Sequence, residues 1–381
     1  MKSKLTSILM FFITIAIIGA TGLLGLILWD EIVVNNQTVE LAEETQDFQF
    51  INQDDPEPQV VQNIEVPKIR NSSNDNPLEV KNREETKEVD YENITVNKYF
   101  YSQLDNYSQK IYKAFESNKN SMKSGTYKIN LGTSFSNILS KANGQDELGS
   151  YYQSAIEAYV YDNPDVFYLS PGKMYLNIET TTRGSQKTYN VYIDCGEDDN
   201  YLIDEFNSKA DVDLAIEKIE SVRNQVISNK TGNTYRDIKM AHDYLVEKIE
   251  YDTSVSGDNI YNIYGALVDN RCVCEGYAKA LKYLLDGLGV ESTLVIGKAY
   301  NSAGNGENHA WNYVKLEDNW YAIDSTWDDP VIIGGGHLGN DSKYKYFLKG
   351  SGTINNDHFP SGKFTENGKE FEYPQLSRND Y

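Results

Sequence analysis

Apolar residues recur at helical spacing in four separate stretches of the first 250 residues. Residues 99–117, 149–161, 210–228 and 233–250 carry apolar side chains every three or four positions, with polar or charged residues between them. That period places the apolar side chains on one face of an α-helix. The pattern therefore predicts four amphipathic helices.

Shorter runs of apolar and β-branched residues predict strands. Residues 175–178 and 188–195 flank a turn at Gly184 and predict a hairpin. Three further strands are predicted at 292–299, 309–316 and 320–325. A turn at 318–319 joins the last two into a second hairpin. Helices mixed with antiparallel strands predict an α+β fold.

A fifth helical pattern begins at a cysteine. The apolar positions that follow it keep to one helix face: Cys274, Ala278, Leu281, Leu285 and Leu288. The Cys274 thiol is therefore predicted at the N-terminus of a buried helix. There, unpaired N–H groups and the helix dipole favour the thiolate and offer a place for an oxyanion.

A histidine and an aspartate occupy matching positions in the second predicted hairpin. Eight residues lead from His309 out to Glu317, and seven lead back to Asp324, so both lie at the same end. An imidazole beside a carboxylate is the orienting pair of a catalytic triad. We expect Asp324 to fix the tautomer of His309, and His309 to take the proton of Cys274.

Several neighbours have expected roles around this triad. Trp311 and Trp327 are predicted to be walls of a groove, where buried indole would exclude water. Tyr251 has two alternatives, lending its hydroxyl to an oxyanion or packing against its neighbours. Glu275 is expected to face outward, because its charge would oppose thiolate formation if it pointed inward.

The first 29 residues predict a transmembrane signal anchor. Lys2 and Lys4 precede an uncharged apolar run over residues 5–29, which at 1.5 Å per residue can cross a bilayer core of roughly 30 Å. The basic flank should stay inside, so the head is predicted to be extracellular on a single-pass cell-membrane protein. A cleaved signal peptide is the alternative, and the length of the run favours the anchor.

Composition divides the remainder into four segments. Residues 30–97 are rich in Asp, Glu, Asn, Gln and Pro without a regular period, which predicts a disordered acidic linker. Residues 98–230 are predicted to be an α+β accessory subdomain, and residues 231–350 the catalytic core. Residues 351–381 are expected to be a C-terminal tail of loops.

Net charge and cysteine content limit the partners, disulfides and metal sites that can be expected. A formal charge of −22 and a pI near 4.6 argue against nucleic acid, since polyanions would be repelled. Three cysteines do not make a disulfide-dense scaffold, although a bond between Cys195 and Cys272 remains an alternative. Cys272 and Cys274 with one histidine make a poor zinc site, so no metal is predicted.

Outside the candidate site, three histidines are expected to be structural or superficial: His242, His337 and His358.

Three runs resemble, in order and spacing, the bacterial branch of the transglutaminase-like superfamily: Val273-Cys274-Glu275-Gly276-Tyr277-Ala278, His309-Ala310-Trp311-Asn312 and Asp324-Ser325-Thr326-Trp327-Asp328. The resemblance covers residues 235–350. It implies a papain-like core, in which the helix carrying Cys274 packs on an antiparallel sheet, and the triad Cys274, His309 and Asp324. No cofactor is implied, and the chain has no acidic loop with EF-hand spacing for calcium.

The predicted function is that of a membrane-tethered extracellular cysteine enzyme. Its thiol would attack a carboxamide or peptide carbonyl, and an amine or water would resolve the thioester. The expected substrates are proteins or peptides of the cell envelope, because a tethered head reaches those. The alternative is a non-catalytic cell-envelope or adhesion module that retains the fold.

Overall fold

The computed structural model describes residues 60–66, 69–73, 87–196, 198–301, 304–329, 340–366 and 368–381. The predicted anchor, much of the predicted linker and His337 lie outside these ranges. None of the helices within them is long and apolar enough to cross a membrane.

Helices and strands are mixed along the described residues. The α-helices are α1 (Asn106–Met122), α2 (Ser136–Leu139), α3 (Gly144–Asp162), α4 (Lys209–Ile227), α5 (Thr234–Lys248), α6 (Cys274–Leu288), α7 (Asn340–Lys343) and α8 (Ser351–Ile354). The strands are β1 (Arg70–Ser73), β2 (Ile129–Gly132), β3 (Tyr175–Arg183), β4 (Gln186–Asp194), β5 (Glu250–Tyr251), β6 (Arg271–Cys272), β7 (Ser292–Tyr300), β8 (Gly306–Leu316), β9 (Asn319–Ile323) and β10 (His358–Pro360). The predicted α+β class is confirmed.

All four amphipathic helices predicted before residue 250 are present. The first begins at Asn106 rather than at residue 99, because Tyr101–Gln103 forms a 3₁₀ turn ahead of it. The Asp105 side chain then caps α1 by accepting the N–H groups of Tyr107 and Ser108. Helices α1 and α3 pack against each other in the N-terminal half of the fold.

Two four-stranded sheets organise the two halves of the fold. The first has the order β1-β3-β4-β2, and its β3–β4 hairpin is the one predicted around Gly184. The second has the order β10-β7-β8-β9, with every neighbour antiparallel. Its β8–β9 hairpin is also the predicted one, with Asn312 opposite Ile323.

Helix α6 lies at the centre of the molecule. Twelve of its fifteen residues are buried, and it packs against α4, α5, β7 and β8. Gly276 allows the first turn to approach its surroundings closely, since a Cβ there would lie 2.7 Å from the Ile260 carbonyl oxygen. Gly289, with φ at +76°, ends the helix in the left-handed conformation that glycine adopts readily.

The prediction of a disordered linker over residues 30–97 is wrong for part of that range. Val60 and Ile64 are 5% and 1% exposed, and Arg70–Ser73 forms a strand parallel to β3 at the edge of the first sheet. The sequence pattern does not reveal this order, because distant residues supply the polar partners. Gln153, for example, bonds to both Ile64 and Val66.

The predicted C-terminal tail of loops is also wrong. Residues His358–Pro360 form β10 and pair with β7 at the edge of the second sheet. Phe371 is buried and packs against Phe100 and Phe364. One cluster of buried apolar residues in mutual contact includes members from Val60 to Phe371. The predicted accessory subdomain, catalytic core and tail therefore share one hydrophobic core.

A buried carboxyl group in α3 makes the stability of this core depend on pH. Glu157 is fully buried, and it accepts hydrogen bonds from the Gln153 amide at 2.9 Å and from the Thr365 hydroxyl. Burial raises the pKa of Glu157 from 4.5 to about 7. The folded chain therefore holds a proton that the unfolded chain releases between these two pH values, and stability falls as pH rises through that window.

The variant Glu157→Gln should flatten this part of the stability profile. At pH 8 we expect it to be more stable than the parent by on the order of 1 kcal/mol, with the difference disappearing near pH 4. Urea denaturation of the full-length chain at several pH values measures this. Glu217→Gln, on an exposed face of α4, is the control and should keep the parental slope. An unchanged slope in Glu157→Gln would contradict the assignment.

Candidate active site

Cys274 is the first residue of α6, as the apolar pattern predicts. The residue before it, Val273, has an extended conformation and provides no side-chain cap. The amides of the first turn therefore face the site without competition from a capping side chain. The cysteine itself is 1% exposed.

Two neighbours contact the sulfur of Cys274. The thiol donates a hydrogen bond to the Val60 carbonyl oxygen, with 3.4 Å between Sγ and O. The backbone N–H of Ala310 lies near enough to the sulfur to favour the thiolate. Because Ala310 directly follows His309 in β8, this proximity places the thiol beside the strand that carries the candidate base.

The thiol is neutral in this environment. Burial raises the pKa of Cys274 well above its ordinary value, and the charges of Glu307, Glu275 and Asp324 act in the same direction. From the sequence alone, the helix N-terminus is predicted to favour the thiolate. At this site desolvation and three carboxylates outweigh that effect.

His309 and Asp324 form a direct hydrogen bond. The His309 Nε2 atom lies 2.7 Å from Asp324 Oδ2, and both side chains are buried. An ionised carboxylate only accepts, so Nε2 carries the proton that is donated. This leaves Nδ1 as the ring nitrogen that can receive a proton from a thiol.

The Asp324 carboxylate is held by the chain that follows it. Its Oδ1 atom accepts the backbone N–H groups of Thr326 at 2.9 Å and Trp327 at 3.2 Å. Burial opposes ionisation, yet the charge and hydrogen bond of His309, together with those of His358, hold the pKa of Asp324 well below its usual range. The carboxylate therefore remains ionised at neutral pH.

His358, predicted from the sequence to be structural or superficial, lies in the candidate site. Its Nε2 atom lies 3.0 Å from the same Asp324 oxygen, and its Nδ1 atom lies 2.6 Å from Asp357 Oδ1. Although burial opposes the charged ring, the hydrogen bonds and charges of these two carboxylates raise the pKa of His358 above its ordinary value. Its position depends on the pairing of β10 with β7, and no local sequence pattern predicts that pairing.

The same three side chains could in principle hold a metal. The donor atoms of His309, Asp324 and His358 lie within 4.8 Å of one another. The two Nε2 atoms, however, lie 2.7 and 3.0 Å from one carboxylate oxygen, whereas two ligands at about 2.0–2.2 Å from a tetrahedral zinc are roughly 3.3–3.6 Å from each other. The geometry fits two N–H donors that share an acceptor. The absence of a metal or cofactor requirement stays a prediction.

The expected wall residues lie around the imidazole. The Trp311 ring stacks on His309 with centroids 6.0 Å apart, and the Trp327 ring is tilted against it at 5.4 Å. Tyr251 stacks on Tyr277 with centroids 6.5 Å apart. Burial, followed by the nearby Cys274, raises the pKa of Tyr251 well above its ordinary value. Its suggested contact with an oxyanion stays a prediction.

Glu275 does not face outward as expected. The residue is fully buried, one carboxylate oxygen lies 2.7 Å from Lys279 Nζ, and the other accepts the backbone N–H of Gln62. Lys279, one helical turn later, supplies the countercharge that makes burial possible. The structure has all three cysteines as free thiols, so the alternative disulfide between Cys195 and Cys272 is not formed.

His242 has the expected structural role. Its ring is fully buried and bonds to Asp328 at 3.0 Å and to Asp243 at 3.3 Å. The candidate site and this second histidine–aspartate pair are separate sets of residues.

Comparison with known proteins agrees with this geometry. Residues 220–325 match the transglutaminase-like superfamily, and they include Cys274, His309 and Asp324. This part of the chain is therefore similar to transglutaminase-like superfamily domains. His358 and Val60 lie outside the matched residues.

Two curated relatives and one solved structure are similar to parts of the chain. The Kyphoscoliosis peptidase of Mus musculus is 26% identical over 174 residues, which are 41% of this chain and 26% of that protein. Its Homo sapiens counterpart is 28% identical over 134 residues, 32% of this chain and 20% of that protein. The chain thus spans about a quarter of their length or less. The crystal structure of a TGase has 15% identity and a TM-score of 0.28, covering 46% of this chain and 50% of that one.

The shared carboxylate gives a spectroscopic prediction. In Asp324→Asn, His358 loses a charged partner, so its pKa should fall by about one unit or more. Histidine-selective ¹⁵N NMR of the full-length chain follows this titration directly, because the chain has four histidines. His242, which pairs with Asp328 and Asp243, is the internal control and should titrate as in the parent. An unchanged His358 midpoint would show that Asp324 does not govern its charge.

Proposed function

We propose that this protein is a cysteine enzyme that acts on amide bonds of proteins or peptides through a thioester intermediate. The observation that carries the proposal is the 2.7 Å bond between His309 and Asp324. His309 lies in β8, and the backbone N–H of the next residue, Ala310, is near enough to Cys274 to favour its thiolate. A thiol, an imidazole and an oriented carboxylate in one buried site are the parts that nucleophilic acyl transfer requires.

The reaction begins with a proton transfer, because the thiol of Cys274 is neutral at rest. His309 takes the thiol proton at Nδ1, and the ionised Asp324 stabilises the resulting imidazolium through Nε2. The thiolate attacks the carbonyl carbon, and a C–S bond forms as the carbonyl oxygen gains negative charge. The imidazolium then returns its proton to the departing nitrogen, which leaves as ammonia or an amine. The acyl group stays on Cys274 as a thioester.

The second half of the reaction resolves the thioester. An amine or a water molecule attacks the carbonyl carbon, and His309 removes the proton of the attacking nucleophile. The C–S bond then breaks, and His309 returns the proton to the Cys274 sulfur. An amine gives a new amide, and water gives a carboxylate. Trp311 and Trp327 beside the imidazole exclude water from part of the site and favour the amine.

The proposed location follows from the N-terminal sequence. Lys2 and Lys4 ahead of the apolar run over residues 5–29 support a single-pass anchor in the cell membrane with an extracellular head. Such a head would act on proteins or peptides of the cell envelope. The name peptidase, carried by the two curated relatives, supports a peptide substrate.

A second candidate function is a binding module that retains the fold without turnover. The observation that favours it is the burial of Cys274, which is neutral and hydrogen-bonded to Val60. The two candidates differ in the reactivity of this thiol.

Alkylation distinguishes an activated thiol from a structural one. We treat the full-length chain in mild detergent with iodoacetamide and measure modification of each cysteine by peptide mass mapping. Cys274 should react faster than Cys272, which is buried to the same extent, and His309→Ala should slow Cys274 by about tenfold or more. Reaction of Cys274 no faster than Cys272, with no effect of His309→Ala even in a variant that exposes the thiol, would favour the binding module.

A turnover assay separates transferase from hydrolase. A glutamine-containing peptide and a labelled amine are incubated with the full-length chain, and released ammonia is compared with incorporated amine. Ammonia in excess of incorporation indicates hydrolysis, and equal amounts indicate transfer. Cys274→Ala should abolish both products, and Asp324→Asn should reduce them by roughly a thousandfold or more. Glu217→Gln should leave both rates unchanged, and full activity of Cys274→Ala would exclude this thiol as the nucleophile.

A further inference from the structure

Residues 60–66 lie across the candidate nucleophile. The Val60 carbonyl oxygen accepts the hydrogen bond of the Cys274 thiol at 3.4 Å, although the two residues are 214 positions apart in the chain. Cys274 is 1% exposed, so a substrate carbonyl has no open path to the sulfur in this arrangement. The cleft above the thiol is occupied by the protein's own backbone.

The segment is held mainly through its main chain, at alternate residues. After the contact at Val60, the Gln62 N–H donates to Glu275. The Ile64 carbonyl oxygen accepts from Gln153 Nε2 at 3.1 Å, and the Val66 N–H donates to Gln153 Oε1 at 2.9 Å. Contacts at every second residue are typical of an extended chain that presents one side to its receptor.

The side chains follow the same alternation. Val60 and Ile64 are 5% and 1% exposed and enter the core, whereas Asn63 and Glu65 are exposed to solvent. The cleft therefore has two apolar pockets four residues apart and a row of polar groups between them. Main-chain recognition of this kind does not depend on most of the bound sequence.

The polar groups of the cleft are themselves held in place. Glu275 pairs with Lys279 at 2.7 Å, and Gln153 donates to Glu157 at 2.9 Å. Both anchors belong to long helices, Glu275 to the first turn of α6 and Gln153 to the middle of α3. Rigid helices position binding groups more accurately than loops do.

We propose that the cleft over Cys274 is a binding site for an extended polypeptide with apolar side chains four residues apart, and that residues 60–66 are its built-in occupant and must leave before a substrate enters. The inference rests on the proposed function and specifies its substrate class and its regulation. The released segment exposes the thiol, and a substrate chain takes over the bonds to Glu275 and Gln153.

Two matched pairs of variants in the full-length chain test the occupant. Gln62→Pro removes the N–H that donates to Glu275, whereas Gln62→Ala keeps it. Ile64→Asp places a charge in the apolar pocket, whereas Asn63→Asp places the same charge on the exposed side of the segment. The readout is the rate at which iodoacetamide modifies Cys274, with buried Cys272 in the same sample as the internal reference.

Loss of the occupant should selectively accelerate the modification of Cys274 by iodoacetamide. We expect about a fivefold increase for Gln62→Pro, from the loss of one hydrogen bond, and roughly a hundredfold increase for Ile64→Asp, from an unpaired buried charge. Gln62→Ala and Asn63→Asp should stay near the parental rate. If Ile64→Asp accelerates the modification of Cys272 as well as that of Cys274, the substitution has loosened the fold. The comparison of Gln62→Pro with Gln62→Ala then decides whether the segment is the occupant.

A free peptide tests whether the cleft binds a chain supplied from outside. The heptapeptide Val-Val-Gln-Asn-Ile-Glu-Val, identical to residues 60–66, should slow the modification of Cys274 in the Ile64→Asp protein in a saturable way. The same peptide carrying the Ile64→Asp change should not. Parental rates in both Gln62→Pro and Ile64→Asp, or equal effects of the two peptides, would overturn the proposal.

One further variant separates this inference from the proposed function. His309→Ala is combined with Ile64→Asp, and the double variant is compared with Ile64→Asp alone. If Cys274 is exposed but its rate does not depend on His309, the enzyme proposal fails and the occupied cleft stands. If the parent depends on His309 and Ile64→Asp changes nothing, the occupied cleft fails and the enzyme proposal stands.

Discussion

The hydrogen bonds of the Asp324 carboxylate are the constraint on which the rest of the site depends. A carboxylate removed from water loses several kcal/mol of solvation unless other groups replace the water. Here two imidazoles and two backbone N–H groups take that place. Each donor comes from a different part of the second sheet or from the turn after it, so the sheet must be complete before the charge is satisfied.

The site combines an ionised carboxylate with a neutral nucleophile. The imidazoles lower the pKa of Asp324, while burial and three carboxylates raise the pKa of Cys274. These effects act in opposite directions on groups that lie close together. In its resting arrangement the site is therefore oriented for proton transfer and has not yet carried it out, and a ligand that changes the surroundings of the sulfur changes this balance.

Local periodicity was sufficient to predict much of the fold and the three candidate residues. The helical stripe that begins at Cys274 and the matched arms of the β8–β9 hairpin depend on residues close in sequence, and both are present. His358, the burial of Glu275 and the contact of Val60 could not be predicted in this way. Each depends on a partner in a distant segment: Asp324, Gln62 and Cys274 respectively. The spacing of apolar residues along the chain does not indicate which distant residues contact each other.

The edge position of β10 affects the order in which the site is assembled during synthesis. Cys274, His309 and Asp324 all leave the ribosome before His358, which completes the shell of donors around the carboxylate. Until that last strand pairs with β7, the Asp324 carboxylate lacks the His358 donor and water takes its place. The hydrogen bonds of the site are therefore completed only when the final edge strand docks.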